Sequence, residues 1–95
     1  MSERAALRAV IRGRVQMVGF RYFALQRAQD HAVTGWVRNR RDGTVEVEAG
    51  GPRPALERFL EDLRMGPPSG EVTGIDVEWL ETAPDHDGFQ IAPSG

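Results

Sequence analysis

The chain has 95 residues, 40% of them apolar and 27% charged, which predicts a single domain over residues 1–95 and excludes general disorder. Its net charge of −2 lacks the basic excess of a general nucleic-acid binder. Cysteine and lysine are both absent, which removes disulfides, thiolate metal sites, Schiff-base lysines and Walker-type phosphate lysines.

In chain order, residues 7–13 read as a first strand bounded by Gly13. Residues 14–19 form a loop ending at Gly19, and a helix is expected over 20–33, with Phe20, Ala24 and Ala28 at i, i+4 steps and Gly35 breaking it. Residues 36–40 and 45–49 form the second and third strands. Between them, Arg41-Asp42-Gly43 is a turn signal. A three-residue loop with Gly43 in the left-handed region pairs Arg38 with Glu46 and Arg40 with Thr44. Val37, Val45 and Val47 then share one face, whereas a slip of one residue would invert every side chain. The same register puts Asn39 on the apolar face.

Pro52 and Pro54 suit the start of a second helix, and Leu56, Phe59, Leu60 and Leu63 make its apolar stripe. Gly66-Pro67-Pro68 stops it. Ile75, Val77 and Trp79 alternate with Asp76 and Glu78 in a fourth strand; residues 83–88 are a loop, and 89–91 a short final strand. The order β-α-β-β-α-β with an extra strand predicts an α+β, ferredoxin-like sandwich: a mostly antiparallel sheet with two helices on one face. That fold hosts many functions and decides none.

Chemistry is scarce. His31 and His86 lack neighbouring histidines or cysteines, so no metal site is expected, and Asp85, His86 and Asp87 read as a solvated loop. No Gly-x-Ser-x-Gly elbow occurs. The basic residues are concentrated early, however: residues 1–42 hold nine of the 12 arginines against three acids. Within them, residues 13–21 run from strand through loop to helix start, where converging amides and the helix dipole favour an anion. Arg21 adds a planar donor fork matched to phosphate, although spacing alone leaves it equally open to solvent. For Asn39, a satisfied amide at a strand end is the commoner fate, but from the helix-covered face it could reach the loop and hold a water. Trp36 and Trp79 read as packing residues, and Arg38, Arg40 and Arg41 as partners of Glu46 and Glu48.

Two stretches, Gly13-x-Val-Gln-x-Val-Gly-Phe-Arg21 and Gly35-Trp-Val-Arg-Asn39-x-x-Asp-Gly-x-Val-Glu46, resemble the paired signatures of the acylphosphatase family, and the likeness covers nearly the whole chain. The resemblance implies hydrolysis of an acyl phosphate to a carboxylate and inorganic phosphate. It implies Arg21 as the phosphate anchor, the amides of Gln16, Met17, Val18, Gly19 and Phe20 as its cradle, and Asn39 as the group positioning water. It implies no cofactor and no metal, a small-molecule substrate, and a monomer in the cytoplasm, with neither nucleic acid nor membrane as partner. Nothing in the composition opposes this: no window approaches the ~18 apolar residues of a membrane span, and the acid-bearing N-terminus lacks the apolar stretch of a secretory signal. Met17 departs from the pattern, standing where the family usually has glycine; if the position needs a positive φ, it is strained by roughly 1–2 kcal/mol. Two alternatives stand beside this reading. One is a non-catalytic ferredoxin-like module binding a phosphorylated metabolite or RNA, the other a leading domain of hydrogenase maturation proteins. The absence of zinc-ligand cysteines after Ser94-Gly95 favours the stand-alone enzyme.

Overall fold

Leu7, Ala9 and Ile11 are fully buried while Arg8 and Arg12 are exposed, the period-two pattern of a strand with one face in the core. A computed structural model describes residues 4–81 and 86–95. Seven elements follow one another: β1 (Arg4–Arg14), α1 (Phe20–Asp30), β2 (Thr34–Asn39), β3 (Val45–Pro52), α2 (Arg53–Met65), β4 (Glu71–Leu80) and β5 (Phe89–Ile91). They build one five-stranded sheet in the order β4-β1-β3-β2-β5. Every pairing is antiparallel except β2 with β5. Helix α2 lies against β1, β3 and β4, and α1 against β2 and β5. This is the expected ferredoxin-like sandwich. Among the described residues, no helix is long and apolar enough to cross a membrane.

The core lies between sheet and helices. Leu56, Phe59, Leu60 and Leu63 of α2 meet Leu7, Ile11, Val37, Val45 and Val47 of the sheet, and Phe59 packs edge-on to Phe89 at 5.8 Å. The hairpin register is as read from the sequence: Arg38 faces Glu46, Val37 faces Val47, and Asn39 faces Val45. Arg40 N–H donates to the Thr44 carbonyl at 2.9 Å, and Gly43 sits at φ 90°.

The boundaries differ at several elements: β1, β3 and β4 run beyond the expected 7–13, 45–49 and 75–79, and β2 spans Thr34–Asn39 rather than 36–40. The first helix ends at Asp30 rather than residue 33. Ala32 takes a left-handed φ of 56°, and Val33 turns back to donate to the Ala28 carbonyl at 2.9 Å. Gly35 is therefore a strand residue and not the breaker; a Cβ there would stand 1.9 Å from the Glu48 carbonyl oxygen. Gly13 likewise lies inside β1, where the register with β4 shifts between Arg12 and Gly13, a bulge that only a residue without Cβ can enter.

The helix-free face is more ordered than expected. Glu46 and Glu48 are buried there. Arg38 reaches Glu46 at 2.7 Å, Arg8 reaches Glu46 at 3.6 Å and Glu48 at 3.4 Å, and His86 meets Glu48 at 2.8 Å. His86 is thus docked on the sheet and not on a solvated loop; Asp85, like residues 83 and 84 of that loop, lies outside the described residues. Of the three hairpin arginines, Arg38 alone pairs with these acids, because the side chain of Arg40 stands nearer Asp42, at 3.8 Å, and Arg41 is exposed on the turn. His31 pairs with Asp62 at 2.7 Å and so joins the end of the first helix to the second.

Candidate active site

Two buried residues fix the ends of the loop between β1 and α1: Val15 and Phe20 are each only 1% exposed. Between them the backbone alternates. Met17 has φ 63° and Gly19 φ 78°, both left-handed, with Val18 between them at negative φ. Alternating handedness turns successive N–H groups toward one side, forming a concave anion-binding nest. Gly19 is also the N-cap of α1, without a capping side chain, and the first helical turn contains no acid. The amides of Met17, Val18, Gly19, Phe20 and Arg21 find no acceptor among the described residues. They are the unsatisfied donors of a helix start, and the dipole adds positive potential at the same point.

Arg21 is half-buried in that first turn and makes no ion pair among the described residues. It lines a pocket of 190 Å³ together with Val15, Met17, Gly19, Phe20, Tyr22 and Asn39. That volume admits a phosphoryl group and a water, at about 30 Å³ per water. Larger depressions of 320 Å³ and 410 Å³ occur beside α2 and beside β5. Neither gathers a row of free amides, so size does not select the site.

Asn39 enters from the neighbouring hairpin. As the last residue of β2 it points to the helix-covered side, and its Oδ1 is buried without a hydrogen-bond partner. A stranded buried acceptor costs about 1–3 kcal/mol, which a donor arriving in the pocket would offset.

What holds the hairpin to the loop was not legible beforehand. The Gln16 side chain donates from Nε2 to the Arg40 carbonyl at 2.7 Å and to the Thr44 carbonyl at 2.9 Å. It therefore spans from the loop to both ends of the turn that follows Asn39. Within that turn, Asp42 accepts from the Thr44 hydroxyl at 2.6 Å and from its amide at 3.0 Å. These bonds hold the Asp42 carboxyl below its ordinary value, so they are in place at neutral pH and are lost only as the pH falls through that lowered value. Gln16→Leu is expected to lower the unfolding free energy by about 1–2 kcal/mol, because two hydrogen bonds are lost while each carbonyl keeps a backbone donor, Gly43 for Arg40 and Arg40 for Thr44; urea denaturation measures it.

The structure brings Met17, Gly19, Phe20, Arg21 and Asn39 to one pocket, with Val15 and Tyr22 as further lining. Gln16 turns its side chain to the hairpin, and Val18 packs on the core. Met17 does need the positive φ, at a strain the sequence put at roughly 1–2 kcal/mol. Met17→Gly is accordingly expected to raise the unfolding free energy by about 0.5–1 kcal/mol, the relief exceeding the extra freedom glycine gives the unfolded chain. Guanidinium denaturation checks the sign.

Residues 7–91 match the sequence model of the Acylphosphatase family. The chain belongs to the acylphosphatase family. The acylphosphatase of Salinibacter ruber is 48% identical over 83 residues, 87% of each chain. The crystal structure of acylphosphatase from Bacillus subtilis superposes with a TM-score of 0.90 at 42% identity, covering 93% of this chain and 98% of that one. Full-length HypF, in its phosphate- and nucleotide-bound form, superposes with a TM-score of 0.90 at 30% identity, but over 99% of this chain and 12% of that one. The acylphosphatase fold thus occurs both nearly alone and as a small part of a much longer chain.

Proposed function

We propose that this chain is an acylphosphatase that hydrolyses acyl phosphates to a carboxylate and inorganic phosphate, with Arg21 and the amides of residues 16–21 holding the phosphoryl group and Asn39 orienting the water. Membership of the family makes it a hydrolase of acid anhydrides. The observation that carries the residue assignment is the stranded Asn39 Oδ1 in the same pocket as Arg21 and the free amides. A water donating to that oxygen is held beside the phosphorus with its lone pairs free to attack.

In the reaction the new bond joins the water oxygen to phosphorus, and the bond from phosphorus to the acyl oxygen breaks. Its electron pair leaves on the carboxylate, whose conjugate acid has a pKa of about 4, so no protein acid is needed for departure. The water proton passes to a phosphoryl oxygen of the substrate. Charge collects on the equatorial oxygens of a loose transition state, where preorganised donors contribute most. A site with a guanidinium, amides and one neutral amide side chain is sufficient for this chemistry.

The same reading takes the enzyme as a cytoplasmic monomer of one domain, without metal or cofactor and without nucleic acid as partner; the −2 charge supports the last. Benzoyl phosphate hydrolysis in the presence of EDTA is the test. Turnover with competitive inhibition by inorganic phosphate is the expected result. Phosphate binding by a folded protein without turnover above the uncatalysed rate would overturn catalysis in favour of a binding module.

A further inference from the structure

Three large apolar side chains stand exposed among the described residues: Met17 at 101%, Tyr22 at 70% and Met65 at 80%. Met65 ends α2 and does not line the pocket that holds Arg21 and Asn39. Met17 and Tyr22 line the pocket that holds Arg21 and Asn39. Met17 is the more telling of the two. Its side chain packs against nothing, and its backbone carries the strain of φ 63°, which glycine would avoid. The fold gains nothing from this thioether, so any use for it lies outward, toward what enters the pocket.

We propose that Met17 and Tyr22 form an apolar rim that grips the acyl group, making the preferred substrates acyl phosphates with aromatic or branched aliphatic acyl groups. The proposal rests on the reading that the pocket binds the phosphoryl group. A single oxygen separates phosphorus from the acyl carbon, so the acyl group must begin at the mouth where these side chains stand. Methionine is unbranched and polarisable and adapts to an aromatic edge, while tyrosine offers a ring face. Among the described residues, Arg21 is the only charged one lining the pocket. With the phosphoryl group on Arg21, no second cation remains for an acyl chain that carries its own charge.

The test compares kcat/KM for benzoyl and acetyl phosphate in the wild type, Met17→Leu, Met17→Gly, Met17→Asn and Tyr22→Ser. Losing part of the apolar contact should cut the benzoyl-to-acetyl ratio about fivefold to tenfold in the glycine, asparagine and serine variants, chiefly through KM. Met17→Leu should keep the ratio, because it keeps both the apolar surface and the backbone strain. Calorimetric binding of benzylphosphonate against methylphosphonate gives the same comparison without turnover. Wild-type turnover with a ratio unmoved in every variant would overturn the rim and leave hydrolysis standing. Rim-dependent phosphonate binding without turnover would do the reverse.

Discussion

Arg21→Ala is expected to lower kcat/KM for benzoyl phosphate by about a thousandfold, in the range found when an arginine is withdrawn from a phosphoryl-transfer site. Among the described residues the guanidinium is the only charged group lining the pocket; the amides that remain hold an anion but do not supply a full positive charge where charge develops. Inhibition by inorganic phosphate should weaken in parallel, because ground state and transition state share those oxygens. Stability should behave differently. Arg21 makes no ion pair among the described residues and sits at the positive end of α1, so its removal relieves a repulsion of about 0.3–1 kcal/mol. A variant that loses activity while its Tm holds or rises fits the anchoring role. Loss of the fold together with activity would contradict it.

Asn39→Ala is expected to lower kcat about a hundredfold or more while leaving phosphate inhibition nearly intact. The amide orients the attacking water rather than the phosphoryl group, and positioning of this kind contributes through geometry present at the moment of reaction. Its removal should again spare the fold: Oδ1 is buried without a partner, so truncation deletes an unsatisfied acceptor and leaves no donor stranded. Steady-state kinetics with and without phosphate, beside a thermal melt, separate the two residues. Arg21 acts on binding and rate together, Asn39 on rate alone. A parallel rise in the phosphate inhibition constant of the Asn39 variant would remove that distinction.

The placement of Asn39 was readable from the sequence because strand faces alternate strictly. Once Arg41-Asp42-Gly43 was taken as a three-residue loop, the side of every residue from Trp36 to Val47 followed, and the structure has that register. The stripe of α2 was readable for the same reason, since Leu56, Phe59, Leu60 and Leu63 repeat at helical spacing and are all buried. Misreadings arose where a single residue defies its type. Ala32 adopts a left-handed φ typical of glycine or asparagine, so the sequence reads as helical to residue 33 although the helix ends at Asp30. Gly13 and Gly35 read as punctuation, yet both are needed inside strands by the close approach of another backbone. The Gln16 tether has no periodic signature at all. It joins residues 24 and 28 positions apart, a contact that exists only after the sheet has formed. His86 on Glu48 was hidden likewise, being set by topology across 38 positions.

The strand order also bears on how the chain acquires its shape. The interior strand β1 pairs on one side with β3 and on the other with β4, where Ala6 lies opposite Leu80. Neither neighbour of β1 is its successor in sequence: pairing with β3 joins residues 34 to 48 positions apart and pairing with β4 residues 57 to 74 apart, and that loop entropy must be met before the pairings stabilise anything. Folding should therefore fall toward the slow, roughly millisecond-to-second end for a domain of this size. During synthesis, β1 must wait, one edge unpaired, until β4, 57 to 74 positions later in register, has left the ribosome.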